Sequence, residues 1–250
     1  MLETIQEFLD QPIVLWIWVV QSVIAAGITL WDLRRRNSHL MSLMQVVWVL
    51  TVLYSGVVGL LIYWTTGRRQ IRRDSLWRKS FRSVSHCYSG CGMGEVAGIF
   101  IAVGLLQLDT LWVVVLTFSL AYVAGFALTM GPLMQDGVGF WRALKDAAYA
   151  ETASIAIMEI VAIGIDLYLA GDATMGEPLF WTSLLLSLTC GLLAAYPVNV
   201  ALIAWGVKEG MHDPRHMHHD HDHGDHEHGD EASDSSQGND HRSGHLTHSH

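Results

Sequence analysis

Six long apolar runs, separated by short polar stretches, occupy the chain up to about residue 207. Each run approaches or exceeds the roughly 20 residues with which an α-helix crosses the hydrocarbon core of a bilayer. Backbone groups in lipid must pair within their own segment, so these runs are predicted to be helices. They cover about residues 13–30, 41–64, 84–106, 110–130, 147–170 and 180–207.

Composition supports this interpretation. The chain is 51% hydrophobic and 16% charged, and its mean hydropathy is +0.29 although the last 40 residues are strongly polar. Tryptophans fall near the ends of the runs, as in an interfacial aromatic belt. We therefore predict an all-α fold, a polytopic membrane bundle of six transmembrane helices. Residues 1–40 form a first helix and basic loop, 41–210 the bundle (its core about 75–210), and 211–250 a tail.

Other classes of protein are disfavoured. The net charge of −9 belongs largely to the tail, so no nucleic-acid partner is expected. Three cysteines do not suggest a disulfide framework. The first apolar run lacks a basic leader and a cleavage site, so it is expected to be retained. The expected partners are the lipid bilayer and metal ions, and a homo-oligomer is compatible with the sequence.

Lys and Arg set the expected orientation. Residues 67–83 carry seven, and four more follow the fourth and sixth runs: Arg142, Lys145, Lys208 and Arg215. The positive-inside rule places these regions in the cytoplasm, and six crossings of a bacterial inner membrane then put both termini there. The cluster Arg34, Arg35 and Arg36 is an exception. If the first run were interfacial or re-entrant, five crossings would bring this cluster inside and leave the N-terminus outside or at the interface.

The tail is rich in histidine. Twelve of the chain's 14 histidines lie within residues 211–250, interleaved with Asp, Glu and Gly and without an apolar run. Such a segment is expected to be disordered. Imidazole binds copper, zinc, nickel and cobalt, and the sequence does not distinguish among these ions. A solubilising or tag-like tail is the alternative interpretation. The candidate ligands in the tail are His216, His218, His219, His221, His223, His226 and His228.

The third run carries soft and acidic donors. On a helix, Cys87, Cys91 and Glu95 recur every four residues and share one face. His86 begins a neighbouring stripe that continues through glycines at the same spacing, which lets another helix approach closely. Thiolate, imidazole and carboxylate together suit a transition metal, and Met93 offers a thioether. The alternative is that the cysteines and His86 are simply buried.

The fifth run carries acids. Thr152, Glu159 and Asp166 repeat every seven residues on one face, and Glu151 lies on an adjacent face. An ionisable group near mid-membrane, as expected for Glu159, usually faces the bundle interior, a partner or a water-filled path. Glu151 and Glu159 are therefore candidate metal ligands or proton carriers. Structural hydrogen bonding between helices is the alternative.

Four stretches together resemble a bacterial membrane-protein family known only as a domain of unknown function, number 4396, over about residues 40–212. They are VVWVLTVLYSGVVGLLIYWTTGR, WRKSFRSVSHCYSGCGMGE, AYAETASIAIMEI and AAYPVNVALIAWGVKEGM. The resemblance implies a membrane bundle and supports His86, Cys87 and Cys91 as a site. Glu151 stands where the family is expected to carry aspartate. Valines stand at positions 49 and 57 where members often carry proline, so the second helix is expected to be straighter here.

Three functions remain open. The first is a cytoplasmic-membrane protein that binds or transports a transition-metal ion, with the tail collecting the ion. Its intramembrane site would comprise His86, Cys87, Cys91, Glu95, Glu151 and Glu159. The second is a membrane-embedded metalloenzyme or redox protein that uses the same cluster. The third is a non-catalytic assembly or sensor subunit. No strong catalytic signature is present in the sequence.

Overall fold

Seven α-helices make up most of the structure, a computed structural model that describes residues 2–135, 137, 139–208 and 213–215. There is no β-strand in these ranges. Two of the helices, α3 and α4, end in π-helical turns, at Tyr63–Gly67 and Phe100–Leu105. The helices are α1 (Leu2–Leu9), α2 (Pro12–Arg36), α3 (Ser42–Ile62), α4 (Leu76–Ile99), α5 (Thr110–Gln135), α6 (Phe140–Ala170) and α7 (Pro178–Ala204).

By length and composition alone, six helical segments are long and apolar enough to cross a membrane: α2, α3 with its π-helical turn, α4 with its π-helical turn, α5, α6 and α7. Large apolar side chains on their outer surfaces are exposed, among them Trp16 at 64% and Leu111 at 69%. Exposed apolar surface on this scale fits contact with lipid rather than water. The predicted all-α bundle with six long apolar helices is thus confirmed, and the chain has the character of a multi-pass membrane protein.

Glycines hold α4 against α5. A Cβ added to Gly94 would lie 2.3 Å from the Leu120 carbonyl oxygen, and one added to Gly90 would lie 2.8 Å from the Gly125 Cα. Only a residue without a side chain permits this approach, which is the small-residue packing expected between membrane helices. The four-residue glycine spacing therefore serves the helix contact that the sequence predicted.

The second apolar run does not cross the bundle in a straight line. Gly56 adopts φ 56° and ψ −128° within α3, a conformation that reverses the chain and favours glycine. Beyond it the chain returns, so that the Trp48 and Tyr63 rings lie 5.3 Å apart and a Cβ at Gly67 would be 2.5 Å from the Trp48 indole. In a straight helix, Trp48 and Gly67 would be about 28 Å apart. The expectation of a straighter second helix is wrong: residues 42–67 form a helical hairpin.

Polar contacts fix the hairpin at its tip and its base. At the tip, the side-chain oxygen of Gln21 accepts the Val57 N–H at 2.9 Å, which the break at Gly56 would otherwise leave unpaired. At the base, the Asp32 carboxylate accepts the Tyr63 hydroxyl at 2.8 Å and pairs with Arg68 at 2.9 Å. Because Gln21 and Asp32 both belong to α2, the hairpin is fastened to that helix along its length.

The two ends of the bundle differ in charge. One end of the bundle contains the C-terminal ends of α2 and α7, both ends of the hairpin and the start of α4. We call this the basic end, since it carries every Lys and Arg that precedes residue 216. At the other end, Gln6 donates to the Leu169 carbonyl at 3.0 Å, and Thr182 donates to the Leu9 carbonyl at 2.9 Å. The connections at this acidic end contain Asp and Glu but neither Lys nor Arg.

A short segment after α7 packs back onto the basic end. The Pro214 carbonyl lies 2.8 Å from His39 Nε2, and Arg215 donates to the Arg72 carbonyl at 3.2 Å. Hydrogen bonds from the Arg215 guanidinium hold the pKa of Asp213 down at about 2. The described chain thus extends to Arg215 as part of the bundle.

Candidate cation site

A buried polar cluster lies between α4, α6 and the residues that follow α7. The Lys208 ammonium donates to Glu151 Oε2 at 2.5 Å, and the Cys87 thiol donates to the same oxygen at 2.6 Å. Lys208 Nζ also lies 3.6 Å from Cys87 Sγ. All three residues are buried, so the positive charge depends on these acceptors rather than on water.

Asn199 completes the cluster. Its side-chain oxygen accepts Lys208 Nζ at 3.0 Å and the Ser83 hydroxyl at 3.3 Å. Its amide nitrogen donates to the Ser154 hydroxyl at 2.5 Å and to the Ala195 carbonyl at 3.0 Å. Asn199 of α7 therefore links α4, α6 and the Lys208 ammonium. Its side-chain oxygen and Glu151 Oε2 both accept from Lys208 Nζ, so these two oxygens can bind the same cation.

His86 lies beside this cluster. Its side chain is 1% exposed and is electrostatically coupled to both Glu151 and Lys208. Nδ1 has no hydrogen-bond partner among the described residues. A buried ring nitrogen without a partner is uncommon, and it leaves this imidazole available to a ligand.

A second level of polar groups lies deeper between α4 and α6. Cys91 is fully buried and points towards Gly125 of α5, where an added Cβ would meet its sulfur at 3.2 Å. It also interacts with Glu159 of α6. Three buried carboxyl oxygens have no hydrogen-bond partner among the described residues: both oxygens of Glu159 and Oε2 of Glu95.

Beyond this level a cavity of about 280 Å³ extends towards the acidic end. Glu95 lies on its wall, and Asp166, which accepts the Ser183 hydroxyl at 2.7 Å, lies there too. The wall also includes the turns after α4 and α6, with Leu108 and Asp172. Acidic groups thus follow one another from the cavity to the basic end: the partly buried Asp166, and then the buried Glu95, Glu159 and Glu151.

A family described as Domain of unknown function (DUF4396) matches residues 76–208, more than half of the chain. The chain belongs to this family. No curated protein and no solved structure matches it. The DUF4396 region begins at α4, so the hairpin, which the sequence resemblance had included, precedes it, and Lys208 is its last residue.

The six bundle residues predicted for the site lie in two groups within the DUF4396 region. His86, Cys87 and Glu151 belong to the cluster around Lys208, and Cys91, Glu95 and Glu159 form the deeper level. Among the described residues, no three His, Cys, Asp or Glu side chains are arranged as a ready metal site. The seven tail histidines from His216 to His228 lie outside the described residues.

One further expectation is wrong, and one residue differs in burial from its neighbours on the same face. Met93 is 37% exposed and lies on the outer surface, so it offers no thioether to the cluster. Thr152 is also exposed and donates to the Ala148 carbonyl of its own helix. Thr152 and Glu159 differ by only about 20° around the axis of α6, so they share a face. Their different burial depends on which neighbouring elements cover α6 at each level, which the spacing alone does not predict.

Sequence reasoning had not placed Lys208 in the site, although it is the residue on which the cluster centres. A signal existed. An intramembrane carboxylate usually pairs with a basic group, and Lys208 is the first basic residue after the sixth apolar run. Asn199 was expected to bond to a freed carbonyl or to a neighbouring helix, and its contact with Ser154 of α6 is of the second kind.

Proposed function

We propose that this protein binds a transition-metal ion and transports it across the membrane. One observation carries the proposal: a buried ammonium group lies among a carboxylate, a thiol and an amide oxygen contributed by three separate elements. A pocket that holds Lys208 in this way is built for positive charge. Its donors are also those that bind borderline and soft metal ions.

Metal binding here requires two changes. Lys208 must leave Glu151, and Cys87 must lose its proton, because the thiolate is the ligand. His86 would then add the imidazole whose Nδ1 has no partner among the described residues. Copper(I), zinc, nickel and cobalt all accept such a set, and the histidine-rich tail would raise their local concentration near the basic end.

The buried acidic groups supply the path. A metal ion that moves from Glu151 towards the acidic end would next contact Cys91 and Glu159. It would then contact Glu95 at the wall of the cavity. Anionic and sulfur donors at successive levels can pass a cation along without exposing it to lipid. This succession favours a transporter over a closed structural metal site.

We further propose that the basic end faces the cytoplasm of a bacterial cell. With residues 42–67 as a re-entrant hairpin, the chain crosses the bilayer five times rather than six. All 14 Lys and Arg residues that precede residue 216 then lie on one side, Arg34 to Arg36 among them. The C-terminus would be cytoplasmic and the N-terminus external, instead of both being cytoplasmic.

Uptake by vesicles tests the function. The full chain is reconstituted in liposomes, each of the four metals is added outside, and the metal inside washed vesicles is measured by elemental analysis. We expect uptake of at least one metal above empty liposomes, and at least a tenfold loss with Glu151→Gln. Glu7→Gln, the same change at an exposed position, should transport as the unmodified chain does. Equal uptake by Glu151→Gln and the unmodified chain would refute the proposal.

A further inference from the structure

Three exposed arginines form the last turn of α2 at the basic end: Arg34, Arg35 and Arg36. Upstream of them, the outer surface of α2 exposes large apolar side chains along its length, and the last of these, Trp31, is 55% exposed. Indole rings of membrane helices collect at the level of the lipid headgroups. The arginines follow Trp31 by about 5–8 Å along the helix axis, which places them beside headgroups rather than acyl chains.

A buried network holds a fourth arginine against this turn. The Asn37 side chain donates to the Asp32 carboxylate at 2.8 Å, and its oxygen accepts the Arg69 N–H at 2.9 Å. Asp32 also accepts Arg68 at 2.9 Å. Asp32 and Asn37 are 3% and 0% exposed, so water does not compete for these bonds. The network therefore joins the chain that leaves the hairpin to the end of α2, and it brings the exposed Arg69 to the other three arginines.

We call these four exposed residues the arginine patch: Arg34, Arg35, Arg36 and Arg69. In the part of the chain that the structure describes, none of them forms a salt bridge, whereas the nearby Asp32 and Asp74 pair with Arg68 and Arg82. The Arg36 guanidinium lies 5.4 Å from the centre of the Trp31 ring, so it is held at the edge of the exposed apolar surface. The positive charge of the patch is therefore available to an external anion.

We propose that the arginine patch binds the phosphodiester headgroup of an anionic phospholipid. Guanidinium groups carry parallel N–H donors that match the oxygens of a phosphate. Basic residues at the end of a spanning helix attract anionic headgroups. The exposed apolar surface of α2 continues directly into the patch, so one lipid can contact both, which favours a lipid over a free anion. Metal transport is not required, because the patch shares no residue with the cluster around Lys208.

Native mass spectrometry of the full-length protein in detergent measures the binding. The protein is titrated with phosphatidylglycerol or with zwitterionic phosphatidylcholine, and the lipid-bound fraction gives an apparent Kd. We expect tighter binding of phosphatidylglycerol. Arg36→Gln/Arg69→Gln should weaken it about fivefold or more, since one basic residue near a headgroup contributes about that factor. Binding of phosphatidylcholine should not change. Equal affinity of the variant and the unmodified chain for phosphatidylglycerol would overturn the proposal.

A matched pair of substitutions tests whether the site is local. Arg142→Gln/Lys145→Gln also removes two exposed charges from the basic end, at the start of α6. It should bind phosphatidylglycerol as the unmodified chain does. Equal weakening by the two pairs would mean attraction to the overall charge and would contradict a site at the patch. Circular dichroism checks the fold of each variant, and Arg35→Gln/Arg69→Gln replaces the first pair if that pair does not fold.

Competition separates a lipid from a free phosphate. Glycerol phosphate, the water-soluble counterpart of the headgroup, is added at the same concentration as phosphatidylglycerol and at constant ionic strength. We expect it to leave the bound lipid in place, because it cannot contact the apolar surface of α2. Displacement of the lipid by glycerol phosphate would identify a site for free anions and would contradict the proposal.

Discussion

The ammonium nitrogen of Lys208 lies 2.5 Å from the Glu151 carboxylate, and the two side chains are 8% and 4% exposed. A buried pair of this kind is not strongly stabilising in itself, because both charges have lost their water. Each charge nevertheless depends on the other, since removing one partner leaves the second buried and uncompensated. This mutual dependence makes the pair a sensitive test of the cluster.

We expect Lys208→Met to lower the free energy of unfolding by about 3–5 kcal/mol, the usual cost of leaving one buried charge unpaired. The double variant Lys208→Met/Glu151→Gln should recover most of this loss, because neither charge remains. Unfolding in detergent, followed by circular dichroism for the unmodified chain, both single variants and the double variant, measures the coupling. Additive losses in the double variant would show that the two groups do not interact.

Gly94→Ala should destabilise the bundle by about 1–3 kcal/mol or more, since its Cβ would lie 2.3 Å from the backbone oxygen of Leu120 and overpack the contact between α4 and α5. Gly164→Ala is the matched control, because a Cβ there meets nothing within 4 Å in α6. It should gain up to about 1 kcal/mol from the better helix propensity of alanine. Thermal unfolding of both variants provides the measurement, and equal stabilities would contradict the close packing.

The helical hairpin predicts opposite exposure of two introduced cysteines. In intact cells, Glu7→Cys should react with an impermeant maleimide, whereas Arg69→Cys should react only after the membrane is opened. The unmodified chain, whose Cys87 and Cys91 are buried, gives the background. Protection of both positions in intact cells would favour six crossings with both termini inside.

The helical bundle could be predicted because length and apolar composition determine which segments can cross a bilayer. The reversal at Gly56 could not, since a hairpin buried in a bundle and a straight span have the same composition over 20 to 25 residues. The one trace of it in the sequence was the misplaced charge of Arg34, Arg35 and Arg36. That conflict is removed by folding back residues 42–67 rather than by moving the first run to the interface.

The candidate site was predictable on α4, where Cys87, Cys91 and Glu95 fall on one face by spacing alone. Its partners on other helices were harder to find. The spacing of Thr152 and Glu159 placed them on one face of α6, but it could not show that only Glu159 is covered by neighbouring helices. Lys208 enters the cluster through the tertiary fold, because the chain after α7 turns back at Gly206, which has φ 71°.

The central claim is that the bundle itself holds metal through its cysteines. The most direct measurement is elemental analysis of the purified chain shortened to end at Arg215, which removes residues 216–250 but keeps the contacts of Pro214 and Arg215. We predict that this protein retains a copper, zinc, nickel or cobalt ion, that Cys87→Ser/Cys91→Ser loses it, and that Cys190→Ser retains it. Equal metal content in the double variant and the unmodified shortened chain would contradict the claim.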